Sequence, residues 1–233
     1  MPAIKANLEL DPGTFPFTLN PAGEGFKQLV ELQSGGDRPN FDEAFAFWNS
    51  IPAESGAGNF LFELGTSDGT LPRAPGVALD NWDTVYQLDL DPALSAAEQD
   101  LNDNIVRVSP DPQTRRKQGL AQVPTITGDI DIPVLTLHNL GDLFVPVHNE
   151  IVYAERVAAQ GNSDLLVQRA IRGVRHCDFT PAEFGTAFVD LVTWVETGVK
   201  PGGDDFLDPL AVADPNFGCA YTDGPHLLGT PCP

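Results

Sequence analysis

Ile132-Pro133-Val134-Leu135-Thr136-Leu137-His138, followed at once by Asn139-Leu140-Gly141-Asp142-Leu143-Phe144-Val145-Pro146, carries the sharpest pattern in this chain. The first seven residues are a continuous apolar, β-branched run, as expected of a strand buried on both faces of a parallel sheet. Residues 148–160 then place Ile151, Val152, Ala154, Val157 and Ala158 at helical spacing and stop at Gly161, a left-handed cap. Leu165–Ile171 (LLVQRAI) reads as the next strand. Thr180 is an N-cap, Pro181 occupies the first helical position, and Glu183 completes a capping box for a helix to about Glu196, with Gly198 beyond it. The order βαβα implies an α/β fold with a parallel sheet.

In such sheets, functional side chains gather in loops beyond the carboxyl ends of the strands. Asp142 lies just past the first strand, and His176, in Arg172-Gly173-Val174-Arg175-His176-Cys177-Asp178-Phe179, lies just past the second. Neighbouring parallel strands run about 4.8 Å apart, so the two loops are neighbours and an Asp142 to His176 hydrogen bond is within reach. A carboxylate on an imidazole is the orienting acid and general base of a nucleophilic triad. The plainer reading is that Asp142 caps a turn and His176 is a satisfied loop histidine. Two such residues after two successive buried strands favour the triad. Asp178 competes for the acid role but reads better as a charge favourable to the dipole of the helix at Pro181. Cys177 reads as a buried structural thiol with its sulfur turned from His176, His138 as a core or sheet-end histidine, and His148 as a helix opener.

The motifs VLTLHNLGDLFVP and RGVRHCDFT resemble the C-terminal part of the α/β-hydrolase superfamily, in particular large, often secreted bacterial hydrolases with a helical lid. The family's acid matches Asp142 and its histidine matches His176, across residues 126–200. The resemblance implies an α/β-hydrolase-like sheet and serine hydrolysis of carboxylic ester-type bonds in a small-molecule or polymeric substrate. Lactone and peptide bonds remain open alternatives. No metal or organic cofactor is required. The family places its serine in G-x-S-x-G before the acid and the histidine. Gly65-Thr66-Ser67-Asp68-Gly69 is the literal match, in the right order, but Pro72, Pro75 and Gly76 prevent the helix an elbow must feed. Ser34, before Gly35 and Gly36, is the other candidate and reads better as a loop or a helix C-terminus. Only 66 residues precede Ser67, with no HGGG-like segment, so the expected nucleophile is Ser67 or a serine upstream of this chain. The alternative is a catalytically silent hydrolase fragment or a binding module.

Residues 1–125 are therefore expected to be lid and connecting segments, 126–200 the C-terminal βαβα part of the core, and 201–233 a Pro- and Gly-rich extension. Within the first part, residues 1–24 read as loop. Short helices are expected at Gly25–Leu32 and Phe41–Trp48, the latter capped by Asn40 with Glu43. Another is expected at 92–107, capped by Asp91 or Ser95, and a short element at Phe60–Leu64. Aromatics in the first third, such as Phe45 and Trp48, suggest an apolar acyl or aromatic site but read better as lid core. A Cys219–Cys232 bridge would close the tail, metal binding being the weaker reading. The chain has 233 residues, of which 42% are apolar, enough for a sizeable core. Its charge of −20 repels phosphate backbones, so nucleic acid is excluded as a partner. No apolar run is long enough to span a membrane, and MPAIKANLELDPG lacks signal-peptide zones, although the resemblance suggests a secreted origin. If the front of the sheet is missing, open apolar strand edges should favour self-association.

Overall fold

A computed structural model of the chain describes residues 18–51, 80–89, 91–110 and 126–233. Ser67 and the element expected at Phe60–Leu64 lie outside the described residues. Contacts divide the chain into two compact units, Met1–Pro2 with Pro52–Thr125, and Ala3–Ile51 with Ile126–Pro233. In contact terms, the helices before residue 51 thus go with the strands.

The larger unit begins with α1 (Pro21–Ser34), longer than the 25–32 expectation because Asn20 caps it and Pro21 opens it. The Asn20 side chain accepts from the Gly23 N–H, an Asn-Pro start signal hidden in a stretch that composition alone marks as loop. Helix α2 (Phe41–Ser50) follows, burying Phe41, Ala44, Phe45 and Trp48. Asn40 does not cap it. Its backbone is left-handed, with φ 68°, and its side-chain oxygen instead accepts from the Thr230 N–H at 3.0 Å. In the smaller unit, α3 (Ala96–Asn104) is shorter than expected and uses Ser95, not Asp91. Ser95 and Glu98 form a full capping box, and Glu98 also accepts from the Leu88 N–H at 2.6 Å. That backbone bond, then those from Ser95, hold the Glu98 carboxyl below its usual range.

After residue 126 the expected order is present: β1 (Val134–Asn139), α4 (His148–Ala159), a single 3₁₀ turn at Ser163–Leu165, β2 (Leu166–Ile171) and α5 (Pro181–Thr197). The protein is thus mixed α/β, and among the described residues its sheet is one parallel pair, Val134 opposite Leu166 through Asn139 opposite Ile171. Thr180 and Glu183 cap α5 reciprocally, and Gly198 ends it at φ 73°. Even-numbered strand residues face α4. There Val134 and Leu166 pack with Ala154 and Val157, and Ala170 packs with Leu140 and Val147. Arg169, on the opposite side, pairs with Asp190 of α5 at 2.7 Å. β2 is buried throughout, whereas β1 is half-buried over its first four residues.

A polar cluster joins α4 to the sheet. Glu150 accepts from Thr136 at 2.6 Å and from Gln168, and lies 3.5 Å from the His138 ring. Burial pushes the Glu150 carboxyl up, but the donors of His138, Thr136 and Gln168 outweigh it and leave it below the usual range.

The tail 201–233 is part of the core, not an appendage. Phe206, Val212 (in α6, Pro209–Val212) and Phe217 pack on Leu140, Val147 and Ala170. Residues 168, 170 and 172 direct their backbone groups away from β1, and the tail meets all three. Gln168 O accepts from the Asp204 N–H, the Asp204 carboxylate accepts from the Ala170 N–H, and the Thr222 hydroxyl accepts from the Arg172 N–H. A side chain on Gly203 would come within 2.7 Å of Gln168 O, so this approach requires glycine. The open apolar edge expected of the second strand is therefore absent: the chain covers it with its own tail. Cys219 and Cys232 are bonded as a disulfide with 13 residues of separation. Arg172 fills the loop so made, donating to Thr230 O at 3.2 Å and to the Thr230 hydroxyl at 3.0 Å.

Two outcomes check this architecture. Replacing Cys219 and Cys232 together by Ser should lower unfolding free energy by about 3 kcal/mol, read by urea denaturation, as expected for a loop of this length. Glu150 has a folded-state pKa below its unfolded value, so its contribution is present above pH of about 4.5 and is lost as pH falls through the folded value. Glu150→Gln should accordingly flatten the acid limb of a stability-versus-pH curve, and an unchanged limb would show the cluster to be energetically silent.

Candidate active site at the carboxyl ends of the strand pair

The strand pairing continues past the strands. Leu140 N donates to Ile171 O and Gly141 N donates to Gly173 O, each at 2.9 Å, so the two following loops leave the sheet side by side. A side chain on Gly141 would meet Val174 Cα at 2.7 Å, so glycine permits this close passage. Asn139, buried at the end of β1, adds a tie by donating to Arg175 O at 2.9 Å.

Asp142 is buried in the first loop. Its Oδ1 accepts from the Phe144 and Val145 N–H groups at 2.8 and 3.0 Å, a short turn closed by the carboxylate. Its Oδ2 lies 2.6 Å from Nδ1 of His176. One oxygen therefore builds the loop and the other holds the imidazole. The His176 side chain is 40% exposed against 4% for Asp142, so the acid is withdrawn from water while the base faces it. Phe144 meets the imidazole edge-on with ring centroids 4.9 Å apart.

Trp48 of α2 stacks on Phe144 at 6.3 Å. Its indole N–H is shared between Gly141 O at 2.8 Å and Val174 O at 3.0 Å, one carbonyl from each loop. Arg38, just before α2, donates to Leu140 O at 2.8 Å, and burial lowers its pKa to about 10. In the sequence Trp48 is one aromatic among several, and Arg38 carries no motif. Their partners are backbone carbonyls about 100 residues away, which leave no trace in residue type.

One expectation about the second loop is overturned. Cys177 is exposed, and its sulfur lies 3.5 Å from Nε2 of His176 instead of turning away. The reason is local: its backbone is left-handed, with φ 53°, which swings the side chain back over the preceding ring. Asp178 stands two residues before the Thr180 cap of α5. It forms a two-point ion pair with Arg175, at 2.9 and 3.1 Å, which raises the arginine's pKa. His138 is buried in β1 and His148 opens α4, as their positions suggest. Ser34 is the last residue of α1, where its hydroxyl accepts from Arg38 at 2.9 Å. Among the described residues, no group of three His, Cys, Asp or Glu side chains is arranged to hold a metal ion, and no helix is long and apolar enough to cross a membrane.

Over 89 residues the chain is 32% identical to an o-phthalyl amidase of Xanthobacter agilis. The likeness is to a hydrolase, and it is partial. It takes in 38% of this chain, which spans about a fifth of that protein's length (20%). No family model and no solved structure matches the chain.

Removing the Asp142 carboxylate should cost more stability than removing the His176 ring. Asp142→Ala leaves two loop N–H groups without their acceptor and should destabilise by about 2 kcal/mol. His176→Ala at an exposed position should stay within about 0.5 kcal/mol. Thermal unfolding of the two variants checks the order, and equal losses would contradict the division of labour between the two oxygens.

Proposed function

We propose that Asp142 and His176 are the orienting acid and general base of a nucleophilic hydrolase acting on carboxylic ester or amide bonds. The observation that carries this reading is the 2.6 Å Oδ2 to Nδ1 contact, between a buried carboxylate and an exposed imidazole, at the carboxyl ends of adjacent parallel strands. Asp142 fixes the tautomer with hydrogen on Nδ1 and balances the charge of the imidazolium. The unprotonated Nε2 then takes the proton of a nucleophile as it adds to the acyl carbon, and returns it to the departing alcohol or amine. Water repeats the cycle on the acyl-enzyme.

The α/β-hydrolase resemblance supports an ester-type substrate and names Ser67, or a serine outside this chain, as nucleophile. The likeness to an amidase supports extending the bond class to amides. Phe144, 40% exposed beside the imidazole, offers an aromatic wall to the acyl group. The Cys219–Cys232 disulfide supports a secreted protein, since such bonds persist in oxidising compartments.

A fluorophosphonate probe followed by peptide mapping tests the proposal. The expected result is modification of Ser67 or, in a longer form of the protein, of an upstream serine, with modification and ester hydrolysis both lost in His176→Ala. A folded protein that neither labels nor hydrolyses simple aryl esters and amides would favour a silent fragment or binding module. Inactivation by iodoacetamide at Cys177, with Ser67→Ala still active, would move the nucleophile to the thiol.

A further inference from the structure

Two histidines besides His176 are held by carboxylates, and both rings are buried. In β1, His138 directs Nε2 at Val145 O, 3.0 Å away, and Nδ1 at Glu150, 3.5 Å away. A carbonyl oxygen only accepts, so Nε2 carries hydrogen. Val145 is also the residue whose N–H is held by Asp142. Val145 is thus gripped at its N–H by the acid of the site and at its carbonyl by His138.

His226, on the disulfide-closed tail, has a side chain only 3% exposed. Its Nε2 lies 2.8 Å from Oε1 of Glu183, and its Nδ1 lies 3.9 Å from Asp178. The Arg175–Asp178 ion pair brackets His176 and Cys177, so His226 stands directly behind the staple that shapes their turn. Glu183 is itself fully satisfied, accepting from the Thr180 N–H at 2.7 Å and the Asp223 N–H at 2.9 Å.

The two arrangements share a plan. Glu150 and Glu183 are each the third residue of the helix that leaves one of the two loops, and each engages a buried histidine against that loop. Apolar side chains would fill these positions without the cost of burying polar groups, whereas directional bonds fix a loop's geometry. We propose that His138 and His226 are positioning residues of the site, His138 holding the loop of Asp142 and His226 holding the loop of His176. This rests on reading Asp142 and His176 as a hydrolase's acid–base pair.

The test follows the His176 Nδ1 proton by NMR in histidine-labelled protein without substrate, beside kcat and KM for an ester or amide that the wild type cleaves. The variants are His138→Ala, His138→Gln, His226→Ala and His226→Gln. The alanine variants should shift or broaden the His176 signal and lower kcat by about tenfold to a hundredfold at little change in KM, the scale expected for a misplaced catalytic group. The glutamine variants, which retain a donor toward Val145 O or Glu183, should recover most of both. If an alanine variant does not fold, His138→Phe or His226→Phe fills the volume without a donor and is read in the same way. An unmoved His176 signal in a folded variant lacking the donor overturns the role of that histidine. A signal that moves in a chain whose wild type hydrolyses nothing keeps the positioning role and favours the silent-fragment reading over the hydrolase one.

Discussion

The spacing of two hydrogen-bonded parallel strands governs what this molecule can present. Strands in register lie about 4.8 Å apart, and their side-by-side course fixes where the chain emerges from each. Here the pairing does not end with the strands, because Leu140 and Gly141 go on donating to the carbonyls of Ile171 and Gly173. An aspartate three residues past one strand and a histidine five residues past the other consequently meet, although 34 residues separate them in the chain. Gly141 allows the approach, and Asn139 ties the ends together. Little of this geometry is left to the loops themselves.

What the strands begin, α2 and the tail complete from opposite directions. Trp48 reaches both loops with one N–H, and Arg38 holds the residue between strand and loop. From the other end of the chain, Thr222 and Thr230 hold Arg172, which opens the second loop. Thr230 also reaches Asn40 at the start of α2, so the two outer segments meet behind the site. The disulfide shortens the excursions open to the tail when unfolded, which concentrates stability at the place where the His176 loop needs support.

The features that could be read from sequence are those with a local pattern. The β-branched run of β1, the Thr180–Glu183 capping box and Gly198 each specify their element within a few residues. The meeting of Asp142 and His176 followed from two such local assignments plus one general spacing. Features that depend on distant backbone groups stayed out of sight. The Trp48 indole answers to carbonyls 93 and 126 residues away, and a carbonyl is the same in every residue. The tail's composition suggested an extension because Asp204 and Thr222 act on β2 without forming a strand. The orientation of Cys177 follows from a left-handed φ that no residue type in the loop announces.

The covering of β2 also limits what architecture can surround the site. Each of residues 168, 170 and 172 has one outward backbone group bonded to the tail, so a further strand beside β2 would have to displace a disulfide-closed segment. Any larger sheet containing this pair can grow only from the β1 side. β2 is then its terminal strand, and the imidazole stands at the margin of the sheet with the acid one strand further in.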